Sequence, residues 1–274
     1  MAVWINGALY PDDEARISVF DHGLVTGDGV FETVKVTGGA PFALSRHLAR
    51  LARSAGGLGL DAPDPGWIRT GVAEVIASSP DVGLGRLRIT VTAGPSPLSS
   101  VRGTEGPTVI VAMAEIPPPA PFCDVVMAPW PRNERGVLAG LKTTSYAGNV
   151  RALGYAADRG AGEAIFANIA GDLCEGTGTN VFVVSGGRIR TPPLSSGCLA
   201  GVTRDLVLEW CGADEERLPA AALADAEEAF LTGTTRDIQP VRLVDGMPLP
   251  ACPGPVTRKA ALVFAECAAK WPDP

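Results

Sequence analysis

The sequence contains few of the residues on which several kinds of chemistry depend. Only two of its 274 residues are histidine, and its six cysteines are scattered without a CxxC pair. Metal sites and disulfide frameworks need such residues at close and regular spacing, so neither a histidine-rich metal site nor a disulfide-stapled fold is expected. Reduced thiols in a chain of this length indicate the cytoplasm.

Other absences narrow the range of partners. The net charge of -7 and the isoelectric point near 5.0 disfavour nucleic acid, because a protein that binds a polyanion needs a basic face. No apolar run approaches the roughly 20 residues of a membrane span, and the first residues lack the pattern of a signal peptide. Neither GxGxxG opening a helix nor GxxxxGK[ST] occurs, which removes the nucleotide-binding interpretations. We expect a cytoplasmic protein that acts on a small molecule.

Lysine is scarce, and one lysine has an unusual setting. Four of the 23 basic residues are lysines. Lys259 and Lys270 lie in an amphipathic stretch and Lys35 lies in an alternating one, where a solvated face explains them. Lys142 lies among small and hydroxyl residues in LAGLKTTSYAGNV, which is the setting that a Schiff-base lysine requires. A solvated surface lysine is the alternative interpretation.

A carboxylate follows further along the chain. Glu175 stands at the head of a glycine-threonine loop, CEGTGTN. Pyridoxal phosphate (PLP) works as an electron sink only when an acidic partner keeps its ring nitrogen protonated. Lys142 and Glu175 together therefore predict a PLP enzyme.

Three segments are candidates for binding the cofactor phosphate. LAGVTRD puts Gly201, Val202 and Thr203 at the start of a predicted helix, where free N–H groups and the helix dipole favour an anion. TGTTRD puts Thr232, Thr234 and Thr235 in a turn between strands, and Arg50 in the helix RHLARL offers a guanidinium fork. A helix cap, a hairpin turn and a surface charge are the respective alternatives.

The proline cluster IPPPAPF divides the chain. Three successive prolines cannot continue a helix or the interior of a sheet, and they favour a stiff connection. We therefore predict an N-terminal domain over residues 1–115, a linker over 116–122 and a C-terminal domain over 123–274. Strand patterns and helix patterns occur in both halves, which predicts a mixed α/β (α+β) fold.

The order of the motifs resembles one family, the class IV, fold-type IV, PLP-dependent aminotransferases. Its members include branched-chain aminotransferases, D-amino-acid aminotransferases and aminodeoxychorismate lyases. The segments that carry the resemblance span nearly the whole chain: ING, DHGLVTGDGVFET, RHLARL, LKTTSY, CEGTGTNVFVV, LAGVTRD and LTGTTRDIQPV. The resemblance implies a small N-terminal α/β domain, a larger C-terminal domain with a mixed-strand pseudo-barrel, a cofactor cleft between them and a homodimer that completes the substrate pocket.

The resemblance also implies a role for individual residues. Lys142 corresponds to the lysine that holds the cofactor, and Glu175 corresponds to the partner of the pyridine nitrogen. Leu199 is implied to pack against the ring. The phosphate is implied to bind in a cup formed by Arg50, Val202, Thr203 and Thr234.

The substrate is predicted from departures within the family. D-amino-acid aminotransferases bind the substrate carboxylate with an arginine and a histidine, and this chain has Leu98 and Ser100 at roughly those positions. FETV, in which Thr33 follows Glu32, and the KTTS sequence resemble aminodeoxychorismate lyases, whereas EGTGTN is more typical of aminotransferases. We predict a 4-amino-4-deoxychorismate lyase of the folate pathway, which forms 4-aminobenzoate and pyruvate. A branched-chain or D-amino-acid aminotransferase is the alternative.

The lyase prediction assigns further roles. Lys142 removes the C4 proton and returns a proton as a general acid during elimination. Thr33 is expected as a hydroxyl near the reacting carbon. Arg88 and Arg102 are candidates for binding the two substrate carboxylates. An ordinary outward-facing position on a strand is an equally good interpretation of Arg88.

Overall fold

The chain folds into two units in the computed structural model, which describes residues 1–274. The first unit comprises Met1–Pro118, Leu141–Tyr146 and Pro272–Pro274, and the second comprises Pro119–Gly140 and Ala147–Trp271. The first break lies inside the predicted linker, 116–122. Two segments that we predicted for the C-terminal domain, 141–146 and 272–274, group with the first unit because their hydrogen bonds run to its strands and helices.

The first unit contains a six-stranded antiparallel sheet. Its strands are β1 (Ala2–Ile5), β2 (Ala8–Pro11), β3 (Gly29–Thr37), β4 (Ala40–Pro41), β5 (Leu84–Thr92) and β6 (Thr108–Glu115). Its helices are α1 (His22–Val25), α2 (Leu44–Leu58) and α3 (Pro65–Ala77). The strand order is β2-β1-β6-β5-β3-β4, and the predicted opening hairpin is β1 with β2.

The two faces of β3 have different environments. Val30, Val34 and Val36 are buried in the core that β3 forms with α2 and α3, and each contributes roughly 1.5–3 kcal/mol of burial free energy. Successive side chains of a strand point to opposite faces, so Phe31 and Thr33 lie on the other face. This second face supports the candidate site in the first unit.

Helix α2 is capped by a residue from far away in the sequence. Ala43 precedes the helix in the left-handed conformation, with φ 53°, and supplies no side-chain cap. The Asp273 carboxylate instead accepts a hydrogen bond from the Ser45 N–H at 2.7 Å. The helix ends at Gly59, whose φ of 72° suits a residue without a Cβ.

The second unit contains a nine-stranded mixed sheet. Its strands are β7 (Cys123–Met127), β8 (Glu163–Ala167), β9 (Leu173–Gly176), β10 (Asn180–Ser185), β11 (Arg188–Thr191), β12 (Asp214–Glu215), β13 (Glu228–Gly233), β14 (Asp237–Val244) and β15 (Met247–Pro248). Its helices are α4 (Ala147–Ala157), α5 (Val202–Cys211) and α6 (Pro255–Lys270), with short 3-10 helices at Leu194–Ser196 and Ala220–Leu223. The order is β12-β11-β10-β13-β14-β7-β8-β9, with β15 beside β14.

Strand direction within this sheet is mixed because β7 is parallel to both β14 and β8, and β11 is parallel to β12. Phe182 on β10 stacks on Phe230 of the neighbouring β13, with ring centroids 4.8 Å apart. Two local predictions hold here. Thr203 is the second residue of α5, and Thr234 and Thr235 lie in the turn between β13 and β14, whereas Thr232, also predicted in that turn, lies within β13. No helix of the structure combines the length and the apolar character needed to cross a membrane.

Candidate active site

Lys142 lies in the first unit, on a segment held between β3 and α2. Its carbonyl accepts a hydrogen bond from the Phe31 N–H at 3.0 Å, and its own N–H donates to the Ser54 hydroxyl of α2 at 3.2 Å. The Thr144 N–H donates to the Gly29 carbonyl at 2.8 Å. The backbone of the lysine is therefore fixed on both sides.

The amine of Lys142 lies against aromatic rings. Its Nζ is 4.4 Å from the ring centroid of Phe31 and 5.7 Å from that of Tyr146. The two rings meet edge to face, with centroids 5.1 Å apart, and the Arg88 guanidinium lies 3.7 Å from the Phe31 centroid. Cation–π attraction holds both cations at this ring.

Thr33 and Arg88 are directly opposite each other on β3 and β5. Opposite residues of an antiparallel pair share a face, so both lie on the face of Phe31. The Arg88 Nε donates to the Thr90 hydroxyl at 3.1 Å, and the side chain is exposed. Both residues are therefore on the surface that carries the Lys142 amine.

Arg102 has a different setting within the first unit. Its guanidinium makes two hydrogen bonds of 2.7 Å to the Asp28 carboxylate. It also donates to the carbonyls of Leu58 and Gly59 at the end of α2. These acceptors give Arg102 a structural role, and the geometry offers no support for its predicted contact with a substrate carboxylate.

Arg50 is held by a buried carboxylate. Its Nε lies 2.7 Å from the Glu32 Oε1, and its Nη2 lies 2.7 Å from the Glu32 Oε2. His47 Nδ1 also lies 2.7 Å from this Oε2. Burial alone would raise the pKa of Glu32, but Arg50 and His47 lower it to about 2. The guanidinium is therefore oriented before any ligand binds.

Glu175 lies on β9 in the second unit. One carboxylate oxygen accepts a hydrogen bond from the Leu199 N–H at 2.9 Å, and the other lies 3.3 Å from the Arg132 Nε. The Arg132 guanidinium lies 4.2 Å from the ring centroid of Phe166 and donates to the Asn149 side chain at 3.2 Å. The carboxylate thus has a balanced charge and a fixed direction.

The N-terminus of α5 lies beside the loop that contains Leu199. The helix begins at Val202 without a side-chain cap, because its N-cap residue is Gly201. Its first N–H groups have no partner within the helix and, with the helix dipole, favour an anion. A Cβ on Gly201 would lie 2.0 Å from the Asn180 Oδ1, so the close approach requires glycine. The Asn180 amide in turn donates to the Leu199 carbonyl at 2.9 Å.

The turn that contains Thr234 belongs to the same unit. Thr232, opposite Asn180 in the sheet, has a buried hydroxyl with no hydrogen-bond partner. Such an orphaned hydroxyl costs about 1–3 kcal/mol when it stays unpaired, which is consistent with a ligand that completes it. A helix N-terminus, threonine hydroxyls and a carboxylate therefore occur together in the second unit.

A second buried carboxylate supports this part of the second unit. Glu163 accepts hydrogen bonds from the Thr177 N–H at 3.0 Å and from the Thr179 hydroxyl at 3.3 Å, and it pairs with Arg236 at 3.3 Å. Glu163 thereby connects the loop after Glu175 with the turn that follows Thr234.

A match to the sequence profile of a known family identifies the family of this chain. The sequence profile described as amino-transferase class IV matches residues 29–244, a range that includes both Lys142 and Glu175. The chain belongs to the class IV aminotransferase family.

Several relatives of this class IV enzyme align with it over nearly its whole length. A protein of Methanocaldococcus jannaschii named "Putative branched-chain-amino-acid aminotransferase" is 33% identical over 99% of this chain and 98% of its own length. A D-alanine aminotransferase of Staphylococcus haemolyticus is 30% identical over 94% of both chains.

Solved structures agree with the fold. The branched-chain aminotransferase of Thermoproteus uzoniensis with norvaline has a TM-score of 0.90 at 30% identity, over 97% of this chain and 94% of its own. The PLP-bound form of a hypothetical aminotransferase from Mycobacterium tuberculosis has a TM-score of 0.85 at 26% identity, over 98% of both chains. The predicted fold class is confirmed: a mixed α/β fold of type IV, with a curled mixed sheet and a smaller domain built on an antiparallel sheet.

The cofactor prediction is also confirmed, because class IV aminotransferases depend on PLP and this class IV enzyme has groups that fit it. Within the second unit, a carboxylate, an uncapped helix N-terminus and the orphaned hydroxyl of Thr232 suit a ring nitrogen and a phosphate. Within the first unit, Lys142 offers an amine. The structure contains no group of three or more His, Cys, Asp or Glu residues that could hold a metal ion.

The lyase prediction is wrong. The relatives that match nearly the whole class IV chain are named as branched-chain and D-alanine aminotransferases. The hydroxyl pattern after Lys142 has a structural explanation, since the Thr144 hydroxyl donates to the Gly27 carbonyl at 2.8 Å and Thr143 is buried. KTTS therefore anchors the lysine segment, and it is no guide to the substrate.

Sequence reasoning missed several residues around the two charged groups. Phe31 and Tyr146 flank the Lys142 amine, Arg132 pairs with Glu175, and His47 supports Glu32. One signal was available, because the chain has only three tyrosines and one of them closely follows Lys142.

Proposed function

We propose that this enzyme is an amino-acid aminotransferase, which moves an amino group from an amino acid to a 2-oxo acid. The observation that carries the proposal is the Lys142 amine against the rings of Phe31 and Tyr146, with the Arg88 guanidinium over the same Phe31 ring. This cluster combines a base with a cation that can bind a carboxylate. An aminotransferase needs both, because each of its substrates is a carboxylate with a reactive α-carbon.

The two charged residues have distinct tasks in this proposal. Bound PLP supplies the electron sink that makes the α-carbon of the substrate acidic. Lys142 would hold PLP and then move the α-proton with its Nζ. Glu175, with Arg132 balancing its charge, would keep the pyridine nitrogen protonated. Arg88 binds the substrate carboxylate, and Thr33 on the same strand face is a hydroxyl near the reacting carbon.

The remaining cofactor contacts are proposed residue by residue. The first N–H groups of α5 at Val202 and Thr203 suit the phosphate, because they carry the positive end of the helix dipole. Thr234 adds a hydroxyl, and Arg50, oriented by Glu32, adds a guanidinium. Leu199 packs against the ring.

Branched-chain amino acids are the proposed substrates. The relatives in support are the Methanocaldococcus jannaschii protein and the Thermoproteus uzoniensis structure, each named for that activity. Leu98 and Ser100 stand where D-amino-acid enzymes have an arginine and a histidine. D-alanine is the second candidate, because the Staphylococcus haemolyticus relative is named for it.

A cytoplasmic homodimer is part of the proposal. The first unit exposes apolar side chains on two neighbouring segments, which the Ser96 N–H joins to the Phe20 carbonyl at 3.0 Å. A second copy of the chain would cover these side chains, which are Val19, Phe20, Leu24, Leu98 and Val101. Sedimentation of the purified protein tests this, and a monomer at micromolar concentration would exclude it. All six cysteines are unpaired, which suits a reducing compartment.

Amino transfer is tested with PLP-loaded protein and 2-oxoglutarate. L-leucine and L-valine are expected to yield their 2-oxo acids, with D-alanine in a parallel reaction. Lys142→Ala should lower the rate by about 10²–10⁴-fold or more, whereas Lys259→Ala, which changes an exposed lysine, should retain it. Turnover of D-alanine alone would select the second candidate. Full activity in Lys142→Ala, or no amino transfer with any of the three donors, would refute the proposal.

A further inference from the structure

His22 is a buried histidine whose two ring nitrogens both face hydrogen-bond acceptors. Its Nδ1 lies 2.9 Å from a carboxylate oxygen of Asp28, and its Nε2 lies 2.8 Å from the Ser99 carbonyl. The side chain is only 2% exposed. A carbonyl and an ionised carboxylate can only accept, and a neutral imidazole has only one N–H to donate. Both hydrogen bonds therefore require the doubly protonated imidazolium.

The charges around this ring favour that form. The Ser99 carbonyl and then Asp28 raise the pKa of His22, against opposing effects of burial and of Arg102. Arg102 and His22 together hold the pKa of Asp28 below its usual value, although partial burial opposes them. The adjacent Asp21 is engaged elsewhere, since it accepts from the Thr92 hydroxyl and the Gly23 N–H.

Asp28 connects this cluster to the backbone of Lys142. It lies between Gly27 and Gly29, and the carbonyls of both glycines hold Thr144. A Cβ on Gly29 would lie 3.1 Å from the Thr144 hydroxyl, so the contact is close. Asp28 therefore belongs to the backbone segment that holds the lysine segment.

Arg102 connects the same cluster to α2, which also holds the backbone of Lys142. Its guanidinium bonds to the carbonyl of Leu58 at 2.8 Å and to that of Gly59, at the end of α2. The same helix accepts the Lys142 N–H at Ser54. It also packs on Leu141 at Gly57, where an added Cβ would lie 2.6 Å from the leucine side chain.

We propose that the His22 imidazolium is a positioning residue for Lys142. It fixes Asp28 and Arg102, which join the two backbone supports of the lysine segment: the backbone at Gly27 and Gly29 is the first support, and α2 is the second. The functional part of this inference rests on the proposed role of Lys142 as the lysine that holds PLP. As the pH rises through the pKa of His22, loss of its proton removes one of its two hydrogen bonds and leaves Arg102 as the main partner of Asp28, which loosens the first support.

The charge state of His22 can be measured without cofactor or substrate. The chain has only two histidines, so ¹⁵N-histidine labelling gives two imidazoles, and His22→Gln assigns them. At pH 6.5, the ordinary pKa of histidine, most of the His22 population should carry protons on both nitrogens, whereas most of the His47 population should carry one. A neutral His22 at that pH would overturn the proposal, whatever the role of Lys142.

The positioning role is tested by the affinity for PLP across pH, measured from the absorption of the bound cofactor. In the wild type the affinity should fall as His22 loses its proton. His22→Gln should bind PLP about tenfold more weakly at pH 7, the effect of one charge-assisted hydrogen bond, and should lose the His22 step of the profile.

A matched control lies on the same short helix. The Thr26 hydroxyl donates to the His22 carbonyl at 2.9 Å without touching the ring, so Thr26→Ala should keep the wild-type profile. An unchanged profile in His22→Gln would overturn the positioning role. If that variant does not fold, the wild-type labelling decides the charge, and a PLP affinity that does not follow the His22 titration contradicts the role.

Discussion

Two clusters of the first unit each combine a carboxylate, an imidazole and a guanidinium, and the pKa of the imidazole is shifted in opposite directions in the two. Asp28 lies just before β3 and Glu32 lies within it, and each binds one histidine and one arginine. The pKa of His22 is raised by the Ser99 carbonyl and Asp28. The pKa of His47 is lowered, chiefly by burial, although Glu32 opposes the change.

The difference shows what determines the charge of a paired histidine. His22 has a second acceptor at its other nitrogen, whereas burial, followed by the charges of Arg50 and Lys142, lowers the pKa of His47. A carboxylate partner alone therefore does not make an imidazolium. The clusters also differ in exposure, because Arg50 is 5% exposed and Arg102 is 36% exposed. We expect the Glu32 cluster to dominate stability and the Asp28 cluster to weaken as the pH rises through the pKa of His22.

The largest effect is expected from Glu32→Gln. The change leaves Arg50 buried without its counter-charge, and the loss of unfolding free energy should be about 3–5 kcal/mol. Urea denaturation at pH 7 measures it, with the exposed Glu14→Gln as the control. A loss no larger than that of Asp28→Asn would remove the distinction between the clusters.

Asp28→Asn should cost less, about 1–2 kcal/mol, because Arg102 can turn toward solvent when its partner is neutral. The same urea titration measures this cost. The variant should also bind PLP more weakly, since the Gly27 and Gly29 carbonyls lose their fixed position. Unchanged PLP affinity together with reduced stability would mean that Asp28 supports the fold without positioning the lysine.

The pH dependence of stability should differ in sign between the clusters. The pKa of Glu32 is about 2 in the folded chain against an ordinary 4.5, so its stabilisation is complete above pH 4.5 and is lost toward pH 2. The raised pKa of His22 gives a stabilisation that is complete below pH 6.5 and is lost as the pH rises through the folded pKa. Urea denaturation of Glu32→Gln and His22→Gln across pH tests both directions. A wild-type advantage over His22→Gln that grows with pH would contradict this assignment.

The smallest effect is expected from Arg102→Lys, below about 1 kcal/mol, because a partly exposed ion pair is screened by water. Arg50→Lys should cost more, since lysine cannot replace the buried two-pronged contact with Glu32. Thermal unfolding of the two variants provides the comparison. Equal losses would show that exposure does not separate the clusters.

Local patterns allowed part of this enzyme to be predicted from its sequence. The place of Thr203 near a helix start was predicted from its motif and is confirmed. Lys142 and Glu175 were singled out by their small and glycine-threonine neighbours, and their roles stay predictions. Contacts between distant segments were not accessible in the same way. The fork between Arg102 and Asp28 spans 74 positions, and the α2 cap from Asp273 to Ser45 spans 228.

The substrate prediction failed for a related reason. A hydroxyl such as that of Thr144 looks the same in a sequence whether it binds a substrate or a backbone carbonyl. Only the fold shows that it bonds to Gly27. The KTTS pattern had supported the lyase prediction, and the names of the relatives overturned it.

Mapping the lysine that holds PLP tests the central claim most directly. The PLP-loaded protein is reduced with borohydride, digested and analysed by mass spectrometry, and its four lysines make the assignment unambiguous. We expect the phosphopyridoxyl group on Lys142 alone. The group on Lys35, Lys259 or Lys270, or on none of the four, would contradict the account.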